Sequence, residues 1–215
     1  KEDRLRVKVE KYFQLCINQQ NHAFPYLPTG VTVVDDLEAV KKQKLFTVNA
    51  VHALIAYYGF HFGYSYIHES LKDKRVLALV SGVLTEVKHA LTKYGVKEDQ
   101  QEIFAGNVLQ RFSNENLCDS VEGVARDPIR KAQNSERFVL PAMINLELGH
   151  TPSYLASGLG ALYLYRNKKD PQSIEITTEI EHSGFANALS KYSSIRPSNK
   201  LYSLIEPPYY MGTRN

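Results

Sequence analysis

Residues 45–62 read Leu-Phe-Thr-Val-Asn-Ala-Val-His-Ala-Leu-Ile-Ala-Tyr-Tyr-Gly-Phe-His-Phe and are apolar almost without interruption. A helix that is apolar nearly all round has to be buried by its neighbours. A chain that contains this stretch must therefore wrap other elements around it. At 215 residues the chain is long enough to build such a core without disulfides or metals to hold it together.

The flanking sequence supplies candidate wrapping elements. Asp35 and Asp36 are good helix N-caps, and the pattern beyond them is helical. Val76, Leu77, Val80, Val83, Leu84, Val87 and Leu91 recur at helical spacing, which predicts a helix over 72–94. Its wetter face would carry Lys72, Asp73, Lys74, Glu86 and Lys88, with Gly95 at the C-terminal cap. A further helix is expected over about 98–112, with Ile103, Phe104, Val108, Leu109 and Phe112 as its apolar positions. Residues 113–137 are polar and irregular. Residues 138–166 predict two helices broken near Gly149-His150-Thr151-Pro152. One amphipathic helix or two short ones should follow, ending near Tyr192, and residues 193–215, with three prolines, read as a loosely packed tail.

Before residue 35 the signal is different. Val7 and Val9 alternate with Lys8 and Glu10 within residues 5–17, and Val31–Val34 form a second short β-like run. Residues 18–30 carry Pro25, Pro28 and Gly30 and read as a loop. Two short strands need partners that the helical remainder hardly supplies. The expected fold class is mainly α, multi-helical, with a small β segment at its N-terminal edge.

Composition narrows the function classes. Lys and Arg total 26 against 23 Asp and Glu, a net charge of +3, which gives no ground for nucleic-acid binding. Cys16 and Cys118 are too few for a disulfide scaffold. The seven histidines show no metal-ligand spacing with a carboxylate or cysteine cluster. No apolar run is long enough to span a bilayer. Lys1-Glu2-Asp3-Arg4 has no apolar signal core behind it, so a cytoplasmic location is expected.

Two groups of residues point to chemistry. Lys44, Asn49 and His52 fall within an arc of about 140° on an ideal helix, at about 100° per residue. Taken singly, each has an ordinary structural explanation: a lysine snorkelling at a helix boundary, an asparagine bonded to nearby backbone, a satisfied core histidine. Taken together they are costly to bury unless something binds them. A partly desolvated lysine has its neutral amine favoured and can take a proton from an alcohol. Asn and His can then donate to an oxygen that becomes alkoxide-like. The set suits interconversion of an alcohol and a ketone. The second group is Arg126-Asp127-Pro128-Ile129-Arg130-Lys131. Here Asp127 and Pro128 fit the start of a helix, where backbone N–H groups bind anions, and Arg126, Arg130, Lys131 and Arg137 add positive charge. The ordinary alternative is a solvated basic helix end. Both groups together suggest a phosphorylated polyol or sugar.

Three motifs then carry a resemblance. They are Lys44-Leu45-Phe46-Thr47 running into Asn49 and His52, Leu109-Gln110-Arg111-Phe112 followed by Asn114, and Val124-Ala125-Arg126-Asp127-Pro128-Ile129-Arg130-Lys131. In kind, order and spacing they resemble the polyol-specific long-chain dehydrogenase/reductase family, and within it the branch acting on mannitol 1-phosphate, over about residues 6–190. Members have a Rossmann-type cofactor domain followed by a helical catalytic domain, and this chain resembles the second. The resemblance implies that residues 1–34 are terminal strands and linker of a cofactor domain, 35–192 the substrate-binding and catalytic domain, and 193–215 a tail. It implies NAD as cofactor, bound mainly by the other domain, and no metal. A polyol phosphate or sugar phosphate is the small-molecule partner it implies.

The resemblance further implies that Lys44 is the general acid/base and that Asn49 and His52 bind and polarise the reacting oxygen. Arg126, Arg130 and Lys131 would hold the substrate phosphate. Ala50-Val51 stands where the family often carries glycine or threonine, and Ala125 where it favours glycine; neither change removes a reacting group. An asparagine that assists from the family's cofactor domain has no counterpart here. The rivals are a dehydrogenase for an unphosphorylated polyol or hexuronate, and a helical ligand-binding or interaction domain without chemistry. The sequence implies no particular oligomeric state.

Overall fold

A computed structural model describes residues 14–18 and 26–205. At the N-terminal edge, β1 (Leu15–Asn18) and β2 (Val31–Val34) pair in parallel, from Leu15 against Val31 to Asn18 against Val34. The expected second strand is present. Val7 and Val9 lie outside the described residues. Leu15 is exposed, so this pair does not close a core of its own.

Asp36 begins the helical body. Its carboxylate accepts from the N–H groups of Glu38 and Ala39, which caps α1 (Leu37–Gln43). The helix does not stop there. It widens into a π turn over Lys44–Asn49 and resumes as α2 (Ala50–Phe62), ending at left-handed Gly63. Ala50, Val51 and every residue from Ala53 to Gly59 are buried, as the apolar sequence requires.

The wrapping elements are α3 (Ile67–Lys72), α4 (Lys74–Thr92), α5 (Glu98–Phe112), α6 (Val121–Ala125) and α7 (Pro128–Ala132). They are completed by α8 (Val139–Glu147), α9 (Ser153–Tyr163), α10 (Pro171–Ser183) and α11 (Phe185–Ser193). Helix α2 packs against α3, α4, α6 and α9. Three details depart from the sequence expectation. The helix expected over 72–94 is interrupted at Asp73, whose side chain caps the start of α4. Glu86, expected on the wet face, is buried. Its two oxygens accept from the N–H groups of Tyr154 and Leu155 at 2.8 and 2.7 Å, so it caps α9 from a distance. Ile103, expected in the apolar face of α5, is exposed.

The tail expectation is corrected as far as residue 205. Ile195, Leu201 and Ile205 are buried in the main core, because three apolar side chains between polar ones are enough to dock an irregular segment. Residues 206–215 lie outside the described residues. Gly158 explains one feature of α9. A Cβ there would meet Phe138 Cε1 at 2.7 Å and Leu54 Cδ1 at 2.9 Å, so the glycine permits the close approach of α9 to α2. Gly158→Val should cost about 2–3 kcal/mol by overpacking. A fall in the urea midpoint at unchanged slope would show it; an unchanged midpoint would mean that the Phe138 and Leu54 side chains give way at little cost.

Candidate active site

The site is built on the π turn. Ala50 N–H donates to Leu45 O, an i→i−5 bond that defines the widened turn. On an ideal α-helix Lys44 and Asn49 would be about 140° apart. A π turn takes more residues per revolution than an α-helix, so a five-residue separation falls nearer to one full revolution and brings the two positions closer to one stripe. Lys44 is exposed, and Asn49 and His52 are half-buried. The desolvation of Lys44 expected from sequence is therefore not supplied by the described residues: the lysine opens the apolar stretch, one turn ahead of its buried part.

Two neighbours clamp this turn. Gln101 on α5 donates to Thr47 Oγ1 at 2.7 Å and accepts from Gln43 Nε2 at 3.0 Å. From another direction Arg137 Nη1 donates to Asn49 O at 3.4 Å. Gln101 and the Arg137 guanidinium are themselves buried, and Arg137 is paired with Glu136 at 3.1 Å. An unpaired buried carbonyl is expensive, so these contacts offset the cost of the irregular turn.

His52 has its own fixed surroundings. Its ring stacks on Phe112 with centroids 4.3 Å apart and planes 16° apart. Its Nε2 is sealed from solvent and lies 3.3 Å from Asp119 Oδ2, within ion-pair distance but outside hydrogen-bond geometry, so this carboxylate is its nearest polar partner and the nitrogen is otherwise unpaired. The contact with His52 holds the Asp119 carboxyl below its ordinary range, with Arg111 adding to the effect and partial burial opposing it. Asp119 is the residue that sequence reasoning missed. It stands in an irregular polar segment, 67 positions from its partner in sequence, and no local pattern joins them.

The basic motif is divided by the structure. Arg126 and Arg130 are exposed, with Arg130 3.9 Å from Glu136 and Arg126 3.9 Å from Asp127. Arg130, Glu136, Arg137 and the Asn49 carbonyl form a continuous chain of polar contacts from this motif to the π turn. Lys131 is not in that group. It is buried, and its ammonium donates to the carbonyls of Val124, at 2.9 Å, and Arg126. Burial, with Arg137 and Arg130 nearby, pushes its pKa down to about 8. Lys131 thus closes the α6–α7 turn, in which Asp127 is left-handed at φ 58°. The helix-start reading is also corrected. Pro128 is the first residue of α7, but Asp127 N–H donates to Asp170 Oδ2 and Ile129 N–H to Gln172 Oε1. Those donors are spent within the protein rather than offered to an anion.

With this geometry in view, the sequence profile of the mannitol dehydrogenase C-terminal domain matches residues 36–198. The chain belongs to this family. A mannitol-1-phosphate 5-dehydrogenase of Exiguobacterium sp. is 36% identical over 211 residues, 98% of this chain and 55% of that protein. One from Anoxybacillus flavithermus is 37% identical over 202 residues, 92% of this chain and 53% of that protein. The chain thus spans about half the length of the curated relatives it matches. Among solved structures, a Pseudomonas fluorescens mannitol 2-dehydrogenase in ternary complex with NAD and D-mannitol superposes with a TM-score of 0.61. It is 20% identical, and the match covers 76% of this chain and 34% of that one. The fold is therefore that of the mannitol dehydrogenase C-terminal domain, mainly helical among the described residues apart from the edge strands.

The division of the basic motif is testable by stability alone. Lys131→Ala orphans two carbonyls and removes charged hydrogen bonds, and should cost about 2–3 kcal/mol. Arg126→Ala and Arg130→Ala should stay within about 0.5 kcal/mol of the parent. Denaturant midpoints of the three variants would check this; equal losses at all three positions would contradict the assignment.

Proposed function

We propose that this chain is the substrate-binding and catalytic domain of a mannitol-1-phosphate 5-dehydrogenase, which interconverts mannitol 1-phosphate and fructose 6-phosphate with NAD as hydride acceptor. The observation that carries the reading is the clamped π turn, which begins at Lys44, ends at Asn49 and leads directly into His52 on one continuous helix. The likeness to mannitol-1-phosphate 5-dehydrogenases over nearly the whole chain supports the substrate.

The described residues do not fit NAD. Gly158 and Gly160 lie inside α9, not in a turn between a strand and a helix, and no other glycine-rich strand–helix turn occurs among them. NAD is accordingly assigned to a separate Rossmann-type domain, as the half-length coverage of the relatives supports. A domain closing over the exposed end of α1 would also desolvate Lys44.

The chain's own residues do the following in this reading. The Lys44 amine accepts the proton of the hydroxyl being oxidised and, as an ammonium, returns it in the reverse direction. The Asn49 amide donates to the same oxygen and stabilises the charge it gains. His52 contacts the substrate beside it. Arg126 and Arg130 remain as partners for the phosphate, and both are exposed and adaptable enough to grip it. The withdrawal of Lys131 and of the α7 N–H groups leaves fewer anion donors than the sequence offered. That observation favours, as a second reading, an unphosphorylated polyol as substrate.

Lys44→Ala in the enzyme that carries both domains should lower turnover by about 10²–10⁴-fold with the fold intact. Near-normal NADH formation by that variant would end the catalytic reading. Arg130→Ala should raise KM by about 10-fold or more for mannitol 1-phosphate, the value of one charge-assisted contact. KM for plain mannitol should barely move. Equal effects on both substrates would favour the unphosphorylated polyol.

A further inference from the structure

We propose that Asp119 is a positioning residue that fixes the tautomer of His52, so that His52 meets the substrate as a hydrogen-bond acceptor; the acceptor role rests on the catalytic reading above. An imidazole carries its two nitrogens on opposite edges of the ring. With Nε2 against Asp119 Oδ2 at 3.3 Å, the edge left for a ligand is that of Nδ1. An ionised carboxylate only accepts, and a bare Nε2 would set a lone pair against it in a buried site, so the contact favours the neutral ring with its proton on Nε2. Nδ1 is then a lone pair.

The ring cannot easily turn to escape this arrangement, because it is stacked on Phe112. Nor is the carboxylate on a free loop. The Asp119 carbonyl accepts from Ile67 N–H at 3.0 Å, and Val121 N–H donates to Ser65 O at 2.9 Å. Between them Ser120 bridges Tyr66 in an antiparallel pair. The segment that carries Asp119 is thus pinned on both sides to the connection that follows α2. Asp119 and His52 are held by the same frame.

This changes what His52 does. A donor at His52 would have served the oxygen that becomes alkoxide-like. An acceptor needs a hydroxyl proton, and the proton of the reacting hydroxyl goes to Lys44. One proton does not serve two bases, so Nδ1 takes the hydroxyl on the neighbouring carbon. His52 in the Asp119-bound tautomer therefore selects substrates with a hydroxyl adjacent to the carbon oxidised, and not simple secondary alcohols.

The test has two arms. In the 215-residue chain, the nitrogen-15 shifts of the His52 ring, recorded above the range where imidazole protonates, should show Nε2 protonated and Nδ1 bare. Asp119→Ala should give a mixture of tautomers, and Asp119→Glu should restore the single form. In the two-domain enzyme, Asp119→Ala should lower kcat/KM for mannitol 1-phosphate by about 100-fold, the scale of a misplaced catalytic group, with most of the loss recovered by Asp119→Glu. Deletion of the substrate hydroxyl next to the oxidised carbon should hurt the parent enzyme but add little to the loss in Asp119→Ala. A proton on Nδ1 in the parent chain, or a tautomer unmoved by Asp119→Ala, would overturn the proposal. Full additivity of the two deletions would overturn the acceptor role. Absence of any polyol turnover by the parent enzyme would overturn the catalytic reading and the acceptor role with it. That failure is recognisable because the shifts do not depend on turnover.

Discussion

The burial of α2 on all sides is the constraint on which the other features depend. Its side chains from Ala53 to Gly59 have no solvent-facing strip, so at least four neighbours must cover it, and α3, α4, α6 and α9 do. Once it is central, whatever polar group it carries at its N-terminal end is held in a rigid frame. A core packed to the density of an organic crystal does not let such a group drift. That is why the same helix can be the mechanical centre of the domain and the mount for Asn49 and His52.

The π turn is the one irregularity in that mount, and polar contacts add to the burial of Phe46 in stabilising it. Gln101 and Arg137 reach it from different helices and segments. Arg137 lies in the same polar chain as Arg130. The proposed phosphate end and the proposed chemical end of the site therefore share a structural member. A change at Glu136 would be felt at both, since it takes the carboxylate from the buried Arg137 guanidinium and the contact from Arg130.

Much of this was legible in the chain before folding was considered. The β2 segment, the cap at Asp36, the limits of α5 and the break between α8 and α9 follow from short-range signals: alternation, a capping carboxylate, an apolar period, a Gly-x-x-Pro interruption. Short-range signals mislead where a distant partner decides the outcome. Glu86 looks like a surface residue until α9 arrives with two unpaired N–H groups for it to accept. Lys131 looks like an anion ligand until the α6–α7 turn offers it two carbonyls. Ile195, Leu201 and Ile205 look like scattered residues of a tail until the core presents a surface for them.

The sequence by itself determined that a buried helix must exist, that most of the rest is helical, and that Lys44, Asn49 and His52 lie along one helical path. Those are consequences of periodicity and spacing, which act over a few residues. Only the tertiary structure decided that the path widens into a π turn, that Lys131 serves the fold, and that Asp119 stands against His52. Each of these depends on which carbonyls, carboxylates and N–H groups are left unpaired when the helices meet. That accounting is settled across the whole molecule, not within any one segment.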